Sequence, residues 1–356
     1  MIRKLIILGG ILMLITVILP GCGESGPTEY ETVSEETSWN IGETTVYATI
    51  TRPESGQGHP AVVFVAGSGP TDRDWNSPLL PGTNGSAKLL AEELARQGYV
   101  TLRYDKRFTG EHAGENLPLL TGKISMQSHL EELQSAVDIL RERDDVDSDK
   151  IFALANSEGT LHAVNFQLQA GEKKLAGLIL TGTPGQSMGD LARAQIAAQL
   201  AGVPGTDDIM AWYDQAISDF VKNGTMEPDE SLPEGIKQFL LSLVSPANMP
   251  FTQEVWTVDI APDLKSIDEP MLIIIGKKDI QVDWQTDGTR LEAAAEGKDT
   301  ITFAYPDNAN HVLKHETKAR EDINPSSPGY NAAGTVLDTE TLEIIISWLD
   351  TQSRKS

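Results

Sequence analysis

The chain has 356 residues, enough for one elaborated α/β domain with a sizeable core. Hydrophobic residues make up 40% and charged residues 22%, the balance of an ordinary globular protein. Lys and Arg number 28 against 52 Asp and Glu, and the formal charge of −24 argues against nucleic acid or anionic membrane as an electrostatic partner.

The first residues form a distinct segment. Arg3 and Lys4 give a basic start, Leu5 to Leu19 is almost uninterrupted apolar sequence, and Leu19-Pro20-Gly21-Cys22 is followed by polar residues. This resembles a bacterial lipoprotein signal, which implies cleavage before Cys22 and a diacylglycerol on its sulfur. The apolar stretch is shorter than the roughly 20 residues that span a bilayer comfortably. An uncleaved N-terminal anchor is the alternative. Cys22 is the only cysteine, so no intrachain disulfide can form. Residues 22–37, rich in Glu, Ser, Thr and Gly, are expected to be a flexible tether. The expected location is extracytoplasmic, on the cell envelope, with the membrane as a partner through Cys22.

Thr44 to Ile50 has the pattern of a strand, with a partner around Thr32 to Ile41. Ala61 to Ala66 is a continuous apolar run of the kind found in central parallel strands. Leu89, Leu90, Leu94 and Ala95 predict a helix over Ser86 to Gln97, with Gly98 as its stop. Tyr99 to Tyr104 is a further strand, and Leu130, Leu133, Ala136, Val137 and Leu140 give an amphipathic helix over Ser128 to Arg143. Strands are expected at Lys150 to Ala155, Leu175 to Thr183, Met271 to Ile275 and Ile301 to Tyr305, and a last helix at Thr339 to Leu349. Alternation of strand and helix implies an α/β fold with a mostly parallel sheet covered on both faces.

Between Thr183 and Met271 the alternation stops, and helical patterns punctuated by Pro204, Pro233, Pro246 and Pro250 take over. The predicted organisation is a core of residues 38–186 and 264–356, interrupted by a helical cap at 187–263 that would roof the site. Lys314 to Leu337 is expected to be a polar surface loop.

The most informative motif is Ala155-Asn156-Ser157-Glu158-Gly159, between a strand and a helix. A serine with small residues two positions either side, at such a junction, has the pattern of a nucleophile elbow. A serine hydroxyl needs a base within hydrogen-bond reach and donors aimed at the oxyanion formed during attack. On this arrangement the acid follows a late strand and the histidine comes after the last one. Asp279 lies just beyond the strand ending at Ile275, and His311 follows the strand ending at Tyr305. His315 is the rival base, and Asp283 and Asp307 are the rival acids. The oxyanion donors are expected to be the backbone N–H of Glu158 and of Ser68, with Gly69 the alternative, in the loop Gly67 to Asp74.

Taken together, Gly67-Ser68-Gly69-Pro70-Thr71-Asp72-Arg73-Asp74, Arg103-Tyr104-Asp105-Lys106-Arg107, Asn156-Ser157-Glu158-Gly159, Gly276-Lys277-Lys278-Asp279 and Asn310-His311 resemble the bacterial α/β-hydrolases grouped with dienelactone-hydrolase-like esterases and serine aminopeptidase-like hydrolases. The resemblance covers roughly Glu29 to Leu349. It implies an α/β-hydrolase fold, a catalytic triad of Ser157, His311 and Asp279, no cofactor or metal, and a small-molecule ester as substrate. The sequence departs from the family pattern at Ala155, Asn156 and Ala66, where glycine, histidine and histidine are usual. Asn156 is expected to alter pocket shape and Ala66 to alter support of the oxyanion loop. Asp72-Arg73-Asp74 is expected to brace that loop through salt bridges. The resulting expectation is a carboxylesterase. A peptidase or amidase on the same triad, and a ligand-binding lipoprotein without catalysis, are the alternatives.

Overall fold

The computed structural model describes residues 29–324 and 331–354. The expected N-terminal signal and lipidation site at Cys22 lie outside the described residues. Eight strands form one sheet: β1 (Thr32–Ile41), β2 (Thr44–Pro53), β3 (His59–Val65), β4 (Val100–Tyr104), β5 (Val146–Asn156), β6 (Gly177–Thr181), β7 (Met271–Ile274) and β8 (Ile301–Ala304). Their order is β1-β2-β4-β3-β5-β6-β7-β8. The β1–β2 and β2–β4 pairs are antiparallel and the other pairs are parallel.

The central strands are apolar on both sides because both faces are covered. Val63 and Val65 of β3 join one cluster with Leu133, Val137 and Leu140 of α3 (Met126–Arg141) and Leu161, Val164 and Phe166 of α4 (Gly159–Gln169). Val62 and Phe64 point the other way, against Leu90 and Leu94 of α1 (Ser86–Arg96) and Ile345, Trp348 and Leu349 of α10 (Thr339–Ser353). This is the period-2 alternation of a strand, read by two different helical layers. Each buried leucine stabilises by about 1.5–3 kcal/mol relative to exposure. Gly98, just past α1, takes φ 98°, which lets the chain reverse into β4.

Two regions differ from expectation. The strand expected around Thr32 to Ile41 is present as β1, so residues 32–37, which were also assigned to the tether, pair instead with β2 from Thr32↔Pro53 to Thr37↔Ala48. Composition misled there because β1 is an edge strand, and polar, half-exposed side chains suit an edge as well as they suit a linker. The helix α2 (Ala113–Leu120) was not among the expected elements; it is short, with Pro118 inside it, a residue that disfavours helix interiors. In the segment from Lys314 to Leu337, expected at the surface, Lys314 is itself buried, with its ammonium donating to the Thr335 carbonyl at 2.6 Å.

Between β6 and β7 the chain forms α5 (Met188–Gln199), α6 (Thr206–Asn223), α7 (Glu234–Leu243) and α8 (Phe251–Trp256). Tyr213, Phe220, Leu240 and Trp256 give this insertion a core of its own. It meets the sheet domain at several points: Gln195 of α5 donates to the Gln281 carbonyl at 2.9 Å, and Phe251 of α8 lies edge-on to His129 at 4.5 Å. After it, α9 (Thr286–Ala294) connects β7 to β8. No helix among the described residues is long and apolar enough to cross a membrane.

Strand order locates the functional end of the sheet. From β3 the chain moves to β4 on one side and then returns to β5 on the other. Such a reversal opens a crevice beyond the carboxyl ends of the two strands that flank it. The loop Gly67 to Asp74 leaves β3 there, and Ser157 leaves β5.

Candidate active site

Ser157 sits between β5 and α4 with φ 55°, a left-handed conformation that costs a non-glycine residue on the order of 1–3 kcal/mol. Local bonds hold it there. Its N–H donates to the Thr181 carbonyl of β6 at 2.9 Å, and its carbonyl accepts from Thr160 N and Thr160 Oγ1 at 2.9 and 2.6 Å. A Cβ on Gly159 would stand 2.6 Å from the Val65 carbonyl oxygen and 2.7 Å from that of Ala66. Glycine is therefore required where α4 crosses β3. Ala155 is fully buried, and the strand accommodates its methyl group.

The residues predicted as acid and base meet. His311 Nδ1 is 2.7 Å from Asp279 Oδ2, and both residues are buried. The other carboxylate oxygen of Asp279 accepts from the N–H groups of Gln281 and Val282 at 2.8 and 3.0 Å, which fixes the carboxylate plane. Asn310 organises the histidine loop, its Oδ1 accepting from Val312 N and Lys314 N. Gly182, at φ 55°, leaves room for the ring: a Cβ there would lie 2.9 Å from His311 Cε1.

The rivals are occupied elsewhere. His315 pairs with Asp338 at 3.0 Å, Asp307 with Lys277 at 2.6 Å, and Asp283 with Arg320 at 2.9 Å while capping the start of α9.

Ser157 and His311 are joined through Asn156 rather than by a formed hydrogen bond. Asn156 Nδ2 donates to the His311 carbonyl and to Thr181 Oγ1, each at 3.1 Å. Asn156 is buried, and these bonds tie the end of β5 to the histidine loop.

The loop after β3 lies against the elbow, since a Cβ on Gly67 would be 3.2 Å from Ser157 Cβ. Among the described residues the N–H groups of Ser68, Gly69 and Glu158 have no acceptor, the condition an oxyanion hole requires. The brace is present. Arg73 pairs with Asp105 at 2.8 Å, Asp74 with the buried Arg103, and Asp72 accepts from the N–H groups of Asp74 and Asn76. Among the described residues no group of His, Cys, Asp and Glu could hold a metal ion.

Sequence reasoning passed over a cluster of buried ionisable groups beneath the elbow. Glu158 lies 3.5 Å from His162, His162 stacks on His129 at 4.3 Å between ring centres, and His129 lies 3.4 Å from Glu132, which pairs with Arg107 at 2.9 Å. Burial, with His129 against it, pushes His162 down to about 4 and leaves it neutral at pH 7. Burial alone would raise Glu158, but its contact with His162 and the charge of Lys106 outweigh that and hold it down to about 2. The spacing of Glu158 and His162, one helical turn apart, was the available signal.

No family model matches the chain. It is 26% identical over 266 residues to Esterase EstD of Thermotoga maritima, an alignment covering 74% of this chain and 57% of that protein. The chain thus spans a little over half the length of that relative. Among solved structures it is similar to an esterase of Rhizomucor miehei (TM-score 0.52, 16% identity, 92% of this chain and 86% of the other). It is also similar to dipeptidyl peptidase 4 of Porphyromonas gingivalis (TM-score 0.51, 14% identity, 89% and 35%). Strand order, elbow geometry and these likenesses together give this chain the α/β-hydrolase fold.

Proposed function

We propose that the protein is a serine hydrolase acting on small or medium carboxylic esters, with Ser157 as nucleophile, His311 as base and Asp279 as acid. The observation that carries this is the buried Asp279–His311 pair beside a left-handed serine whose neighbouring backbone N–H groups are free. The likeness to an esterase supports the ester over other acyl substrates.

On this reading Ser157 Oγ attacks the carbonyl carbon while its proton passes to His311 Nε2. Asp279 accepts from the Nδ1–H and stabilises the imidazolium without taking the proton. The oxyanion is held by the N–H groups of Ser68 and Glu158, at the positive end of α4. Collapse of the tetrahedral species breaks the ester C–O bond, and His311 returns the proton to the leaving alcohol. Water, deprotonated by His311, then releases the acid from Ser157. In the same proposal Cys22 carries the lipid that holds the enzyme on the outer side of a bacterial membrane, and the helical insertion lies over the acyl site.

A fluorophosphonate probe is expected to label the wild type and not Ser157→Ala; equal labelling of the mutant rejects the assignment. Assay of p-nitrophenyl esters beside aminoacyl-p-nitroanilides separates ester from amide cleavage, because the amine is the poorer leaving group. Metabolic labelling with a fatty-acid analogue, lost in Cys22→Ser, tests the anchor.

A further inference from the structure

Lys106 follows β4 by two residues and is almost wholly enclosed, with 4% of its surface exposed. A buried ammonium is costly unless its hydrogen-bonding capacity is used. Here it donates to two carbonyls of a single loop, Gly67 at 2.7 Å and Gly69 at 2.6 Å. Burial lowers its pKa, while the charges of Glu158 and Glu132 favour the ammonium.

The direction of these bonds matters more than their number. In a trans peptide the C=O of one residue and the N–H of the next point opposite ways. The strands β4 and β5 flank β3 on opposite sides. A Gly67 carbonyl drawn toward Lys106, on the β4 side, turns the Ser68 N–H toward β5 and Ser157. We infer that Lys106 is a positioning residue for the oxyanion hole: its ammonium grips the Gly67 and Gly69 carbonyls and so holds the Ser68 N–H facing the nucleophile. The inference rests on the serine-hydrolase reading. It also accounts for the loop lacking the histidine usual at Ala66, since a lysine just past β4 supplies the support.

The test is steady-state hydrolysis of p-nitrophenyl butyrate by Lys106→Met, Lys106→Gln and Ser68→Pro, with melting temperatures recorded alongside. Removing one oxyanion donor costs about 10²–10³ in kcat. Lys106→Met is expected to lower kcat by about 10² with KM changed less than about threefold, and to weaken a trifluoromethyl ketone inhibitor in proportion. Lys106→Gln, which keeps a donor for one carbonyl, is expected to lose about tenfold. Ser68→Pro removes the N–H at an exposed position without touching Lys106; adding Lys106→Met to it should cost less than about threefold more. Full kcat in Ser68→Pro, a loss carried by KM, or losses that multiply would each overturn the inference. If Ser157→Ala retains turnover, the hydrolase reading itself fails. If Ser157→Ala is inactive and a folded Lys106→Met has wild-type kcat, only the role of Lys106 fails.

Discussion

At Asn156 a side chain does work that its sequence neighbours do not reveal. Its amide bridges the carbonyl of His311 and the hydroxyl of Thr181, so the proposed base is held from the strand that leads into Ser157. Asn156→Leu keeps the volume and removes both bonds, leaving the His311 carbonyl unsatisfied in a buried place. The expected cost is about 1–3 kcal/mol of stability, with kcat falling about tenfold and KM little changed. Chemical denaturation and ester hydrolysis on the same preparation check both; an unaltered kcat would make Asn156 a purely structural residue. The rivals at His315, Asp283 and Asp307 teach the complementary lesson. Each has a local partner, Asp338, Arg320 or Lys277, that becomes visible only in three dimensions.

At the scale of elements, the site depends on how closely α4 approaches β3. Gly159 lies over the Val65 and Ala66 carbonyls, and backbone cannot yield as a flexible side chain could. Gly159→Ala is therefore expected to push the helix from the strand, destabilising the protein by about 1–3 kcal/mol. It should also lower labelling by a fluorophosphonate, because the Glu158 N–H moves with the helix. A mutant with unchanged melting temperature and labelling rate would show that the crossing has slack. The small-residue requirement at this end of the pentapeptide was legible in the sequence. The tolerance of Ala155 at the other end was legible only as permission, and full burial of its methyl group shows how the strand uses it. Where hydrophobic period was strong, as over Ser128 to Arg143, sequence and structure agree to within a few residues, with α3 spanning Met126–Arg141. Where pattern was weak the reading was divided or silent: β1 was expected as a strand over Thr32 to Ile41, yet its polar first half was also assigned to the tether, and the short α2, with Pro118 inside it, was not among the expected elements.

For the whole molecule, the buried ionisable cluster sets a response to acid. The folded-state pKa of His162 is about 4 against an ordinary 6.5, so between those values the unfolded chain binds the extra proton. Stability is then lost as pH falls from about 6.5 to about 4. Glu132 and Glu158 are held down to about 2 against 4.5, and their contribution is lost as pH falls from 4.5 toward 2. Urea midpoints measured across this range should decline in both limbs. His162→Gln should flatten the upper limb, while the pairing of Glu132 with Arg107 keeps the lower one. An upper limb unchanged in the mutant would place that titration elsewhere.

The layered α/β architecture was legible in the sequence, because strand and helix periods are carried by the local order of apolar and polar residues. The sequence by itself also determined the residues that could act, because an elbow serine, a post-strand aspartate and a late histidine are recognisable from their order. The tertiary structure decided which of the candidates meet and what supports them. Lys106, Gly182, Asn156 and the stacked His129 and His162 come from different strands, helices and loops. Their relation depends on the sheet order that sets β4, β3, β5 and β6 side by side, and such long-range proximity leaves no periodic trace in the chain.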